Sequence, residues 1–134
     1  MLIIGTELQE VSQVTVRRIS AVFVNLHPKD VIMTNGIIEY DQAIAEIRGF
    51  SGAMFRAQDR LNYEHFYLRP HQSGKPGANQ YTPVINGVAG WQLYHGSDYS
   101  TAVEYKFDQW MHIKIVFAAE RADIYIDSDE PTLR

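Results

Sequence analysis

The sequence predicts an all-β fold of antiparallel sheets, because short segments that alternate apolar and polar residues recur roughly every eight to twelve positions. The dipeptides Asn35-Gly36 and Asn86-Gly87 favour tight turns between such segments. Residues 41–50 are the one stretch whose apolar residues have helix-like spacing, and Gly49 would end such a helix within two turns. We therefore interpret that stretch as strand or loop and expect little or no helix.

The predicted strands can be placed in order along the chain. The N-terminal part has strand signals at Val14 and Val16 and at residues 21–26, then a loop at 27–30 and a hairpin of residues 31–33 and 37–41. The later predicted strands are residues 52–57, 63–69, 81–85, 90–94, 102–107, 110–117 and 122–127. The last two alternate most cleanly, so we expect Met111, Ile113, Ile115 and Phe117 to face the core.

Composition limits the classes of function. The 134 residues suffice for one domain, residues 1–134, around a single core. A formal charge of −4 without any Lys/Arg run argues against a nucleic-acid partner, and the absence of cysteine excludes disulfides and thiolate chemistry. No signal peptide or apolar run of roughly 20 residues is visible, so we expect no membrane partner and, unless a leader is missing from this chain, a cytoplasmic protein.

One predicted strand has two very different faces. Glu64, Phe66 and Leu68 alternate with a second set of side chains that is rich in tyrosine, histidine and arginine. That second set is Tyr63, His65, Tyr67, Arg69 and His71. Such side chains stack on ligands and donate hydrogen bonds, whereas an ordinary solvated strand face carries Lys, Glu, Thr and Ser. The second face is therefore a candidate binding surface.

Several motifs occur in an order that resembles one family. They are NGIIEYD, GFSGAMFRAQD, NYEHFYLRPHQSG, QYTPVINGVAGWQLY and the W-x-H-I-K strand with its D-x-x-E-P ending. The chain, from about residue 33 to 131, resembles bacterial concanavalin A-like lectin/glucanase domains, also described as laminin-G-like or 3-keto-disaccharide-hydrolase-like. The resemblance implies a jelly-roll β-sandwich of two antiparallel sheets, and most proteins of this kind have no assigned activity.

The chain departs from that family pattern at its C-terminal end. Family members usually continue for several strands after the E-P pair, and those closing strands are not present here. Unpaired sheet edges are normally covered or paired. We therefore expect a homodimer, or a larger homo-oligomer, formed through these edges.

Catalysis and metal binding are weakly indicated. Glycosidases of the related glucanase type use an E-x-D-x-(x)-E run; Glu39 and Asp41 match its start, but the third carboxylate is missing. We therefore expect no catalytic residue, with Glu64 or Glu39 as the acid or base if the protein is a glycan hydrolase. No histidine spacing indicates a metal site, and we expect no cofactor; a calcium site would have to use Asp98, Asp127 or Asp129.

The sequence as a whole favours non-catalytic binding of a carbohydrate or similar polar small ligand. In this interpretation Tyr67 and Trp91 stack on the ligand while polar side chains bind its hydroxyl groups. The candidate residues are Arg56, Tyr67, Arg69, His71, Gln80, Tyr81, Trp91 and Gln92. Arg56 is included because it alternates with Met54 away from Ala53, Phe55 and Ala57.

Structural interpretations of the same residues remain open. The aromatic face could pack between sheets, and Trp91 and Leu93 could belong to the core. Glu64 could form a structural ion pair with Arg56 or Arg69. A structural or assembly module is then the third candidate function, beside ligand binding and hydrolysis.

Overall fold

The computed structural model describes residues 35–134 in full and, before them, the strands Leu2–Gly5 and Ser12–Ile19. This part of the chain is nearly all β, with one three-residue 3-10 turn at Pro70–Gln72 and no α-helix. Its strands are β1 (Leu2–Gly5), β2 (Ser12–Ile19), β3 (Gly36–Ala43), β4 (Ser51–Ala57), β5 (Tyr63–Leu68), β6 (Asn79–Ile85), β7 (Val88–Ala89), β8 (Trp110–Ala118) and β9 (Arg121–Ile126). The predicted elements at residues 21–26, 27–30 and 31–33 lie outside the described residues.

The strands form two sheets. Sheet A has the order β1-β4-β5-β6-β7, and sheet B has the order β2-β3-β8-β9. Neighbouring strands are antiparallel except for two parallel pairs, β1 with β4 and β2 with β3. The all-β prediction is therefore confirmed. Among the described residues, no helix is long and apolar enough to cross a membrane.

The core lies between the two sheets. Phe55 and Phe66 of sheet A are completely buried, and Phe117 of sheet B meets Phe55 with ring centroids 5.1 Å apart. The predicted alternation of β8 is confirmed, because the four side chains assigned to the core are buried and the intervening ones are not. Burying a large apolar side chain stabilises the folded state by roughly 1.5–3 kcal/mol, so this layer holds the two sheets together.

The predicted strand at residues 90–94 is wrong. The tight turn at Asn86-Gly87 is present, but the strand after it, β7, has only two residues. The chain then turns, and the amides of Leu93 and Tyr94 both donate to the Gly90 carbonyl. The remaining edge of β6 is occupied by the following loop instead, because the Tyr81 amide donates to the Tyr99 carbonyl at 2.8 Å.

The predicted strand at residues 102–107 is also wrong. This segment is irregular, and a buried tyrosine together with a 2.8 Å hydrogen bond from the Gly74 amide to the Val103 carbonyl positions it, rather than a ladder of strand hydrogen bonds. Tyr105 is buried, its amide donates to Ser73 Oγ at 2.9 Å, and its hydroxyl donates to the Ala78 carbonyl. Alternating Val103, Tyr105 and Phe107 do face the core, which explains why the pattern resembles that of a strand.

Candidate functional site

The two faces of β5 are separated as the sequence predicts. Phe66 and Leu68 are completely buried, while Tyr63, His65 and Tyr67 lie on the opposite face. The rings on that face form a row, with centroids 6.2 Å apart for Tyr63 and His65 and 4.8 Å apart for His65 and Tyr67. The register neighbours of His65, Met54 and Thr82, are 7% and 1% exposed. The three rings are themselves each partly buried, so the row is not a fully exposed binding surface.

Arg56 does not join that row. The sequence places it on the face of Met54, but its backbone adopts a left-handed conformation with φ of 47°, which breaks the alternation of β4. Its side chain lies instead on the inner side, 3.1 Å from Glu64 Oε1 and 5.3 Å from the centroid of the Phe117 ring. The structural ion pair expected between Glu64 and Arg56 is confirmed.

Three other predicted ligand-binding residues are separated from the row as well. Gln80 is buried, and its amide nitrogen donates to the Tyr81 and Tyr94 carbonyls, so it positions backbone. Trp91 is 50% exposed and Gln92 is exposed, both in the turn that follows β7. The alternative placing of Trp91 and Leu93 in the core is wrong, because Leu93 is 82% exposed.

A cluster of three tyrosines stands at the edge of sheet A. Tyr81 and Tyr99 are stacked with centroids 6.2 Å apart, and the Tyr94 ring is close to perpendicular to both, at 6.5 Å and 5.3 Å. The loop on the free edge of β6 holds them, because Gln80 fixes the Tyr94 carbonyl and the Tyr81 amide fixes the Tyr99 carbonyl. These contacts give the three rings a defined arrangement before any ligand arrives.

The three rings line a cleft of about 420 Å³ between the sheets, which we call the tyrosine cleft. Sheet B contributes its opposite wall through the turn between β8 and β9. The polar lining residues are Glu64, Tyr81, Tyr94, Asp98, Tyr99, Glu120, Arg121 and Arg134. Ligand pockets commonly measure roughly 300–1,000 Å³ and combine apolar surface with a few polar groups, so size and lining both suit a small ligand.

Glu64 forms the inner end of the tyrosine cleft. Its carboxylate is paired with Arg56, with 3.1 Å between Arg56 Nη1 and Glu64 Oε1, and it lies close to Tyr81. Burial and the neighbouring Glu64 charge raise the pKa of Tyr81, which therefore remains a hydrogen-bond donor at physiological pH. The hydroxyls of Tyr94 and Tyr99 make no hydrogen bond to any described residue and are free to meet a ligand.

The second carboxylate proposed for catalysis lies elsewhere. Glu39 and Asp41 share a face of β3, as predicted, and that face points away from the core. There Asp41 lies 2.8 Å from His112 Nδ1, and Glu39 lies 3.6 Å from His112 Nε2 and 3.8 Å from Lys114 Nζ. Glu39 and Glu64 are therefore not brought together.

Nothing in the described part of the chain forms a cluster of three or more His, Cys, Asp or Glu side chains that could hold a metal ion. The three aspartates considered for calcium are separate: Asp98 lines the tyrosine cleft, Asp127 binds Lys106 at 2.9 Å and the His112 amide at 2.8 Å, and Asp129 is exposed. The three aspartates therefore do not form one calcium site among the described residues.

Most of the tyrosine cleft was not predicted from the sequence, which indicated Tyr81 as a ligand-binding residue, Glu64 as an alternative acid or base, and Asp98 as a possible calcium ligand. Tyr94 and Tyr99 flank a glycine- and serine-containing loop, and that spacing is the one local signal for them. Glu120 and Arg121 come from a distant turn between β8 and β9. No family model, curated protein or solved structure matches the chain.

Proposed function

We propose that this protein binds a carbohydrate or similar polyol, without catalysis, in the tyrosine cleft. The observation that carries the proposal is the arrangement of three contacting tyrosine rings beside a fixed carboxylate in a cleft of about 420 Å³. Sugar rings place an apolar face on aromatic side chains, while carboxylates and hydroxyls bind their OH groups. The tyrosine cleft offers both kinds of group in one place.

The arrangement favours binding over hydrolysis. Glu64 is already engaged by Arg56, with 3.1 Å between Arg56 Nη1 and Glu64 Oε1, so its carboxylate is not available as a free acid or base. The other carboxylate candidate, Glu39, lies beside Lys114 and His112 on the outer face of sheet B. The two-sheet, nearly all-β architecture agrees with our further proposal that the fold is a concanavalin A-like jelly roll.

A thermal-shift screen against mono- and oligosaccharides tests the proposal. A sugar present at 100 times its dissociation constant stabilises the folded protein by about 2.7 kcal/mol, which is visible as a higher melting temperature. We expect Tyr99→Ala to reduce this shift to about half, because the variant loses the ring that stacks on Tyr81. Loss of one aromatic stacking contact lowers affinity by a factor of up to about 10, and the stabilisation left at the same sugar concentration is then about 1.4 kcal/mol.

Tyr125→Ala is the matched control. Tyr125 lies in β9 with the Lys114 ammonium 5.6 Å from its ring centroid, and it does not line the tyrosine cleft. This variant should keep the ligand-induced shift. An equal loss in both variants, or no shift with any sugar, would refute the proposal; sugar turnover that Glu64→Gln abolishes would instead establish hydrolysis.

A second candidate, an assembly module, is favoured by a different observation. Large apolar side chains are exposed where β6 and β7 form the last edge of sheet A, among them Ile85, Val88 and Leu61 at 60%, 70% and 54%. The β7 edge can pair with the same edge of a second copy of this chain. A sedimentation run at micromolar concentration should then show a dimer that Val88→Lys dissociates, and a monomer at every concentration would exclude this candidate.

A further inference from the structure

Positive charge from three separate segments converges on His71, just after β5. Arg48 belongs to the connection between β3 and β4, Arg69 follows β5 directly, and Lys75 lies beyond the 3-10 turn. None of these cations forms an ion pair with a described carboxylate, including Glu104, which lies beside Gly74 in this turn. An uncompensated basic surface on a chain of net charge −4 requires a reason.

Two polar atoms in the same place lack partners. Arg69 Nε and His71 Nδ1 are buried without a hydrogen bond to any described group. Buried polar groups in folded proteins nearly always have a partner, and the exceptions often mark a position for an ion, water or ligand. The Arg69 guanidinium lies close to Gly77, since a Cβ added at Gly77 would come to 3.2 Å from Arg69 Nη1. Its Nε therefore lies in this turn region without a hydrogen-bond partner among the described residues.

Aromatic surface adjoins this positive charge. The Phe50 ring is 50% exposed and contacts Tyr67 and His71 edge-on, with centroids 5.5 Å and 5.7 Å away. We call Arg48, Phe50, Tyr67, Arg69, His71 and Lys75 the basic aromatic patch. A flat apolar surface beside a guanidinium matches a ligand that has both a ring and an oxyanion.

We infer that the basic aromatic patch binds an anionic sugar, meaning a sugar ring that carries a sulfate, phosphate or carboxylate group. Arg69 and His71 hold the oxyanion, Arg48 and Lys75 attract it, and Phe50 with Tyr67 supports the ring. This inference goes beyond the tyrosine cleft, because it uses different residues. Glu64 and Arg69 are separated by five residues of extended chain, roughly 16 Å.

Protonation of His71 provides a direct readout of binding. Loss of hydration lowers the pKa of His71, and the charges of Arg69, Arg48 and Lys75 lower it further. A bound oxyanion offsets these positive charges and favours the protonated imidazole, so it must raise the pKa of His71. The change can be followed by NMR on the His71 ring.

The experiment titrates the protein with galactose 6-sulfate, glucuronic acid, galactose and inorganic sulfate. We expect the two anionic sugars to bind and to raise the pKa of His71, neutral galactose to leave His71 unchanged, and inorganic sulfate to bind more weakly than galactose 6-sulfate. Arg69→Gln should weaken galactose 6-sulfate binding at least tenfold, because it removes a charge-assisted hydrogen bond. Sulfate- and carboxylate-bearing sugars offer the same kind of oxyanion. Comparing the affinities of galactose 6-sulfate and glucuronic acid shows which of the two groups the patch prefers.

Two variants keep the result interpretable. Arg60→Gln removes an exposed arginine elsewhere and should bind like the wild type. Tyr99→Ala disables the tyrosine cleft and should also leave this binding intact, which separates failure of one site from failure of the other. With the tyrosine cleft disabled by Tyr99→Ala, equal affinity for galactose and galactose 6-sulfate, or equal loss in Arg69→Gln and Arg60→Gln, would overturn the inference. Equal affinity for inorganic sulfate and the sugar sulfate would overturn the role given to the rings.

Discussion

Replacing Phe117 by alanine is expected to lower the free energy of unfolding by about 3–5 kcal/mol, because it removes a fully buried ring from the layer between the sheets. The ring meets Phe55 across the core, and the Arg56 guanidinium lies 5.3 Å from its centroid. Its loss leaves a cavity that neighbouring strands can fill only partly. Urea-induced unfolding measured for the wild type and Phe117→Ala gives the difference directly.

Phe50→Ala is the matched control for this change. It removes the same side chain from a position that is 50% exposed, so we expect a cost of about 1 kcal/mol or less. A cost below about 1 kcal/mol for Phe117→Ala, or equal costs for the two variants, would mean that the sheets do not pack through Phe55 and Phe117.

Acid is expected to destabilise the protein strongly through His65. Burial between Met54 and Thr82 lowers the pKa of His65 from 6.5 to about 4. The native state therefore keeps the imidazole neutral, while the unfolded chain takes up a proton near pH 6.5. The resulting stabilisation is complete above the unfolded pKa and is lost as the pH falls from 6.5 towards 4, with a total of about 3 kcal/mol.

His65→Gln provides the comparison, since glutamine does not titrate. Between pH 7 and pH 4.5 the wild type should lose about 2 kcal/mol more unfolding free energy than the variant. An NMR titration of the His65 ring should give a midpoint near pH 4. The same pH dependence in wild type and variant, together with a ring midpoint near 6.5, would show that this histidine is not buried.

Sequence reasoning identified the strands that alternate over enough residues to fill the core. β8 has nine residues and four buried apolar side chains, and β4, β5, β6 and β9 were placed within a few residues of their bounds. The failures at residues 90–94 and 102–107 have a common cause. Apolar alternation records which side chains are buried, but it does not record whether the backbone finds a strand partner, and a loop on the edge of β6 replaced one strand.

The candidate site was harder to predict than the fold because its parts are distant in sequence. Tyr81 was found from its strand, but its neighbours Tyr94 and Tyr99 depend on how a loop lies along β6. Arg56 was assigned to the wrong face because a single residue with φ of 47° cannot be recognised from alternation. Its ion pair with Glu64 was nevertheless among the expected alternatives, since a carboxylate on an apolar face needs a cation.

The most direct test of sugar binding in the tyrosine cleft is an amide and ring NMR titration of the labelled protein with a panel of oligosaccharides at millimolar concentration. We predict saturable shifts that include Tyr94, Tyr99 and Glu120, which line the cleft from two segments distant in sequence. The absence of saturable shifts with every neutral and anionic sugar, or shifts that never include the tyrosine cleft, would contradict the claim that this cleft binds carbohydrate.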